Sequence, residues 1–153
     1  MVWKIILMIL LPLSAFSKTS VDSLTAELEL LSESPVEGWK YTINYPFDDG
    51  AVSEASDPEF DDTFWELLGF GHRLTADSCW MRCEFDLPEK IMGQQVRGLV
   101  KLSVSVDDYG YMWINGESKG RFPWDGDFIL TENGSPGMKF VILIKAMNTG
   151  GPM

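Results

Sequence analysis

The stretch Val100-Lys101-Leu102-Ser103-Val104-Ser105-Val106 alternates an aliphatic side chain with a polar one at every step. Successive side chains of an extended chain point to opposite faces, so this pattern describes a β-strand with one buried and one wet face. The neighbouring segments repeat it. Upstream, Met81, Cys83, Phe85 and Leu87 alternate with Arg82, Glu84 and Asp86, and Pro88 stops the run. Further back, Trp39, Tyr41, Ile43 and Tyr45 alternate with Lys40, Thr42 and Asn44. Downstream, Tyr111-Met112-Trp113-Ile114 leads into Asn115-Gly116, a dipeptide suited to the positive φ angles of a tight hairpin. Asp127 to Thr131 reads as a further short strand. Phe140-Val141-Ile142-Leu143-Ile144, apolar at every position, reads as a central strand covered on both faces. Short strands, turn-rich connections and almost no helix predict an all-β sandwich or jelly roll.

The flanks carry different patterns. Lys4 precedes an almost unbroken apolar run from Ile5 to Leu13, and Ala15-Phe16-Ser17 offers small residues where a signal peptidase cuts. That run is far short of the roughly twenty residues that cross a bilayer as a helix. The chain therefore reads as exported, secreted or periplasmic, with no membrane span after cleavage; the other reading of the run is an uncleaved membrane anchor. Leu24, Leu28 and Leu31 recur at helical spacing within Ser20–Ser32, with glutamates on the other face. Pro46 to Asp62 reads as a polar, acidic loop. The expected organisation is a signal peptide over 1–17, a helical segment or linker over 18–35, and a β-sandwich over 36–153. The Gly150-Gly151-Pro152 ending after so apolar a strand leads us to expect a further closing strand beyond Met153, hence a C-terminally truncated sandwich.

Composition removes several functions. With 12 basic and 23 acidic residues the 153-residue chain carries a formal charge of −11, which repels nucleic-acid phosphates. Cys79 and Cys83, extended, would place their Cα atoms ~13 Å apart, beyond disulfide reach. They read as buried free thiols. A metal site would need more ligands than these thiols and His72, the only histidine. His72 also lacks the strand, serine and helix turn that would expose a nucleophile, and reads as structural. No cofactor is expected. Asp107-Asp108 could offer oxygens to calcium, but two adjacent carboxylates fall far short of a binding loop and read as a solvated turn.

From about Asp61 onward the order of features resembles the sugar-binding, galactose-binding-like jelly-roll domain of glycoside hydrolase family 2. A similar accessory domain occurs in bacterial family 38 α-mannosidases. Asp61-Asp62-Thr63-Phe64-Trp65 resembles the family's D-D-S-x-W, and Trp80-Met81-Arg82-Cys83-Glu84-Phe85-Asp86-Leu87-Pro88 its W-Y-R-x-x-F-x-L-P. Val106-Asp107-Asp108, Met112-Trp113-Ile114-Asn115-Gly116 and Gly120 follow its V-D, V-W-V-N-G and closing glycine. Phe128-Ile129-Leu130-Thr131 stands in place of F-x-x-D-I-T, and Phe140 to Ile144 in place of N-x-L-A-V-x-V. The resemblance covers more than half of the chain. It implies a non-catalytic carbohydrate-binding or scaffolding domain of a secreted glycoside hydrolase of β-galactosidase, β-glucuronidase or α-mannosidase type. The partner is then a glycan or the enzyme's catalytic domain, and the glycosidic carboxylates lie elsewhere, so no catalytic residue is assigned here. The other reading is a free-standing carbohydrate-binding or cell-surface adhesion module.

Sugar recognition combines a flat aromatic ring with carboxylates or amides that bond hydroxyls. Phe122-Pro123-Trp124-Asp125-Gly126-Asp127 has that makeup in what reads as a turn-rich segment, and Tyr111 adds a second ring. Trp124, Asp125 and Tyr111 are therefore the candidate carbohydrate-binding residues. Trp65, Trp80 and Trp113 read as packing residues of the sandwich, and Trp124 alternatively as a cover over one end of it.

Overall fold

The computed structural model describes residues 5–10, 34–69, 74–91 and 93–150. The expected helix over Ser20–Ser32, the cleavage site at Ala15–Ser17 and His72 lie outside the described residues. In chain order the elements are β1 (Ile5–Leu10), β2 (Ser34–Pro35), β3 (Lys40–Thr42) and α1 (Asp49–Ala55), then β4 (Glu66–Leu67) and β5 (Ser78–Asp86). There follow β6 (Lys90–Ile91), β7 (Gln94–Gln95), β8 (Gly98–Ile114), β9 (Glu117–Gly134) and β10 (Lys139–Met147). Hydrogen bonding runs in the order β2-β1-β8-β10-β5-β3-β4, with β9 on β8 and a separate β6-β7 pair. Every pairing is antiparallel. The chain is an all-β sandwich. No helix among the described residues is long and apolar enough to cross a membrane.

Strand β8 makes two layers out of one path. Its first half pairs with β1, Val104 opposite Ile5 and Leu99 opposite Leu10, whereas its second half pairs with β10 from Tyr109 to Ile114. Between them the register with β9 slips: Ser105 faces Asp125 and Tyr109 faces Pro123, so three residues oppose the single Trp124. Asp108 and Trp124 both take left-handed backbone, φ +56° and +41°. Such a bulge bends a hairpin sharply. The bend lets Val100, Leu102, Val104 and Val106 meet Phe140, Ile142 and Ile144 of β10 and Cys79, Met81 and Cys83 of β5 in one buried cluster. Each fully buried Leu or Ile there contributes about 1.5–3 kcal/mol.

Three expectations change. Tyr41 is buried, but β3 stops at Thr42 and Ile43 is 49% exposed, because Thr42 Oγ1 accepts from Asn44 N at 3.2 Å and turns the chain. The acidic loop holds a helix. Asp48 caps α1 by accepting from Ala51 N at 2.8 Å, and Ala51 and Ala55 face inward. Finally, Phe122–Asp127 lies inside β9 rather than in a loop. Pro123 is tolerated because β9 pairs only with β8 among the described residues and so forms an edge.

Candidate functional site

The outer face of β8 carries Tyr109, Tyr111 and Trp113, the residues left over when Gly110, Met112 and Ile114 turn inward. Their rings form a row, with centroids 5.9 Å apart for Tyr109–Tyr111 and 6.4 Å for Tyr111–Trp113. Phe47, from the segment before α1, leans on Tyr111 at 5.7 Å and on Trp80 at 5.6 Å. The Arg121 guanidinium lies over Tyr109 at 3.8 Å, a cation–π contact at one end of the row. Lys145 of β10 stands beneath, its ammonium 5.0 Å from the Trp80 ring. Burial holds the Lys145 amine below the usual lysine range.

Trp124 and Asp125 sit at the β8–β9 bend. Trp124 is 50% exposed and makes no ring contact with a described residue. Asp125 Oδ1 accepts from Ser105 Oγ across the strands. Tyr111 belongs instead to the aromatic row, so the three candidate residues divide between two places. Tyr109 is the link, opposite Pro123 in register and in edge contact with Tyr111. Tyr109, Phe47 and Arg121 carry no assignment from the sequence. The period-two spacing of Tyr109, Tyr111 and Trp113 is the signal for the row; nothing local marks Phe47 or Arg121.

The motif residues of the first half converge beneath this face. Arg82 is 2% exposed, and its Nε donates to Ala55 O at 2.9 Å and its Nη2 to Asp57 O at 2.9 Å. Its Nη1 meets Asp62 Oδ2 at 2.5 Å, and Lys40 Nζ meets the other Asp62 oxygen at 2.5 Å. Trp65, Trp80, Ala55 and Leu143 form a small second core there, and Trp80 Nε1 donates to Tyr45 O at 3.0 Å. Trp113 packs 5.7 Å from Trp80. Trp65 and Trp80 are packing residues, and half-buried Trp113 rests against them. They fasten the segment carrying α1 to the outer face of the sheet.

Asp108 is tied up as well. Its Oδ2 accepts from both Thr149 N and Thr149 Oγ1 at 2.5 Å, and these bonds lower its pKa. Among the described residues no cluster of three or more His, Cys, Asp or Glu could hold a metal. Cys79 and Cys83 are free, and burial pushes both thiols up to about 12.

No family model and no curated protein sequence matches this chain. Solved structures do match it. A β-glucuronidase of Bacteroides uniformis superposes with a TM-score of 0.58 at 17% identity, over 77% of this chain and 15% of that one. A calcium-binding mutant of Bacteroides uniformis β-glucuronidase 2 gives 0.57 at 17% identity, over 77% and 15%. A β-glucuronidase of glycoside hydrolase family 2 gives 0.54 at 21% identity, over 74% and 13%. This chain shares its fold with one part of those enzymes. It spans only 13–15% of their length.

Proposed function

We propose that this chain is a non-catalytic carbohydrate-binding or scaffolding domain of the galactose-binding-like jelly-roll kind, serving an exported glycoside hydrolase. The observation that carries the proposal is Trp124. A bulky aromatic residue held at φ +41° and half exposed, with no described ring to pack on, is the kind of surface ring that stacks on a sugar's C–H face. Asp125 beside it accepts hydrogen bonds, and the Tyr109–Tyr111 row continues the aromatic surface along β8. The fold likeness to part of the β-glucuronidases supports an association with glycoside hydrolysis. The apolar run after Lys4 supports export; cleavage before Lys18 would remove β1, which pairs with β8 in the full chain.

The test is retention on a glycan array and in affinity gels, comparing the chain with Trp124→Ala. Retention that Trp124→Ala abolishes, without turnover of aryl glycosides, is the expected result. Turnover by the pure chain, or no retention on any glycan, overturns the binding role. The downstream reading frame separates this from the free-standing module: catalytic-domain sequence continuing after Met153 favours the accessory domain, and a stop codon with a stable folded product favours the module.

A further inference from the structure

A second recess lies away from Trp124. Helix α1 and the β8–β9 turn face each other across a groove of about 420 Å³, within the usual range of about 300–1,000 Å³ for small-molecule sites. The helix side supplies Asp49, Ser53 and Ser56, followed by Asp57, and the hairpin side supplies Trp113 and Asn115. Gly116 closes the end: a Cβ added to it would stand 3.7 Å from Ser56 Cβ.

Ser56 is the informative residue. It lines the groove and is only 7% exposed, yet its Oγ has no hydrogen-bond partner among the described residues. An unbonded buried hydroxyl is a cost that a hydrogen bond to a ligand hydroxyl would remove. The Asn115 amide is half committed. Its Oδ1 accepts from Val141 N at 2.8 Å, which fixes the side chain and leaves the Nδ2 donors without a described partner.

We infer that this groove is a second binding site, for a neutral polyhydroxylated ligand, that is, an uncharged sugar unit. The inference rests on the carbohydrate-binding reading of the chain and deepens it. An indole wall suits the C–H face of a pyranose, while two carboxylates, serine hydroxyls and a carboxamide suit its hydroxyl groups. Asp49 and Asp57, with no cation lining the groove, repel phosphates and uronic acids. The site therefore separates neutral sugars from glucuronate.

Amide and indole NMR titration of the full chain tests this, with lactose, cellobiose and mannobiose as neutral probes and glucuronic acid as the anionic one. The neutral sugars are expected to move the Trp113 indole, Asn115 side-chain and Ser53 signals, and glucuronic acid to leave them still. Ser53→Trp, which fills the groove from an exposed helix position, should abolish these shifts, and Trp124→Ala should not. Asp49→Asn should narrow the discrimination against glucuronic acid while thermal unfolding stays unchanged. Shifts confined to Trp124 and Tyr109 overturn the groove and leave the carbohydrate-binding reading standing. Groove signals unmoved by all three neutral sugars overturn it too, and the glycan array then decides the broader reading separately.

Discussion

Asp62 and Arg82, 20 residues apart in sequence, meet at 2.5 Å and lock the segment carrying α1 onto β5. The guanidinium is buried and spends its other donors on the carbonyls of Ala55 and Asp57, so one side chain holds three points of that segment. Breaking such a pair from one side leaves a buried charge uncompensated, which typically costs about 3–5 kcal/mol. Asp62→Ala should lower the unfolding free energy measured in urea by an amount near the low end of that range, because Arg82 also has Glu84 within 3.5 Å.

The same pair sets an acid limit. Burial pushes the Asp62 carboxyl up, but the bonds from Lys40 and Arg82 outweigh it and hold the group below the ordinary aspartate value. The unfolded carboxyl therefore takes up its proton first as the pH falls. The pair's contribution is complete above the unfolded pKa of about 3.9 and is lost as the pH drops through the lower folded value. Asp62→Asn should flatten the stability profile below about pH 4, measured by urea unfolding across an acid series.

Two glycines face Phe122 where the strands come closest. A Cβ on Gly110 would lie 2.7 Å from Phe122 Cζ, and one on Gly126 2.6 Å from Phe128 Cε2 and 2.8 Å from Phe122 Cδ2. Gly110→Ala and Gly126→Ala should each destabilise by about 1–3 kcal/mol through overpacking. Adding Phe122→Leu to Gly110→Ala should recover part of the loss in thermal unfolding, since the clash is with the ring.

Both thiols should be silent in the folded chain. Cys79 and Cys83 are buried, with ionisation pushed up to about 12, and thiolate is the reactive form. A disulfide dye at neutral pH should label neither without denaturant and both with it, at a rate that follows unfolding. Rapid labelling in native buffer would contradict the packing of β5.

Trp124 stands in backbone geometry that favours glycine. Trp124→Gly should therefore melt above Trp124→Ala, by about 1 kcal/mol of relieved strain. Under the proposed binding role both variants should lose glycan retention alike, which separates backbone strain from ligand contact.

The layers are readable because alternation is a property of consecutive residues: Val100 to Val106 and Met81 to Leu87 declare their faces locally. Asn115-Gly116 declares its turn for the same reason, and the structure gives these residues φ +50° and +77°. The bend is not readable. Asp108 and Trp124 become left-handed only because three residues of one strand must match one of the other, a fact of pairing that neither segment carries alone. The candidate site suffers likewise. Trp124 and Asp125 read as loop residues and are strand residues at a bulge. The groove joins α1 to a hairpin turn far along the chain, a contact that no local pattern encodes.

The bend at Asp108 and Trp124 has a mechanical consequence. Because one long hairpin runs through both layers of the main sheet, its strands offer no seam along which the layers could part, and peeling β9 from β8 would unravel the two together. Leu102 on the β1 side and Trp80 on β5 should therefore report one cooperative melt, by amide exchange and by fluorescence respectively, rather than two staggered ones.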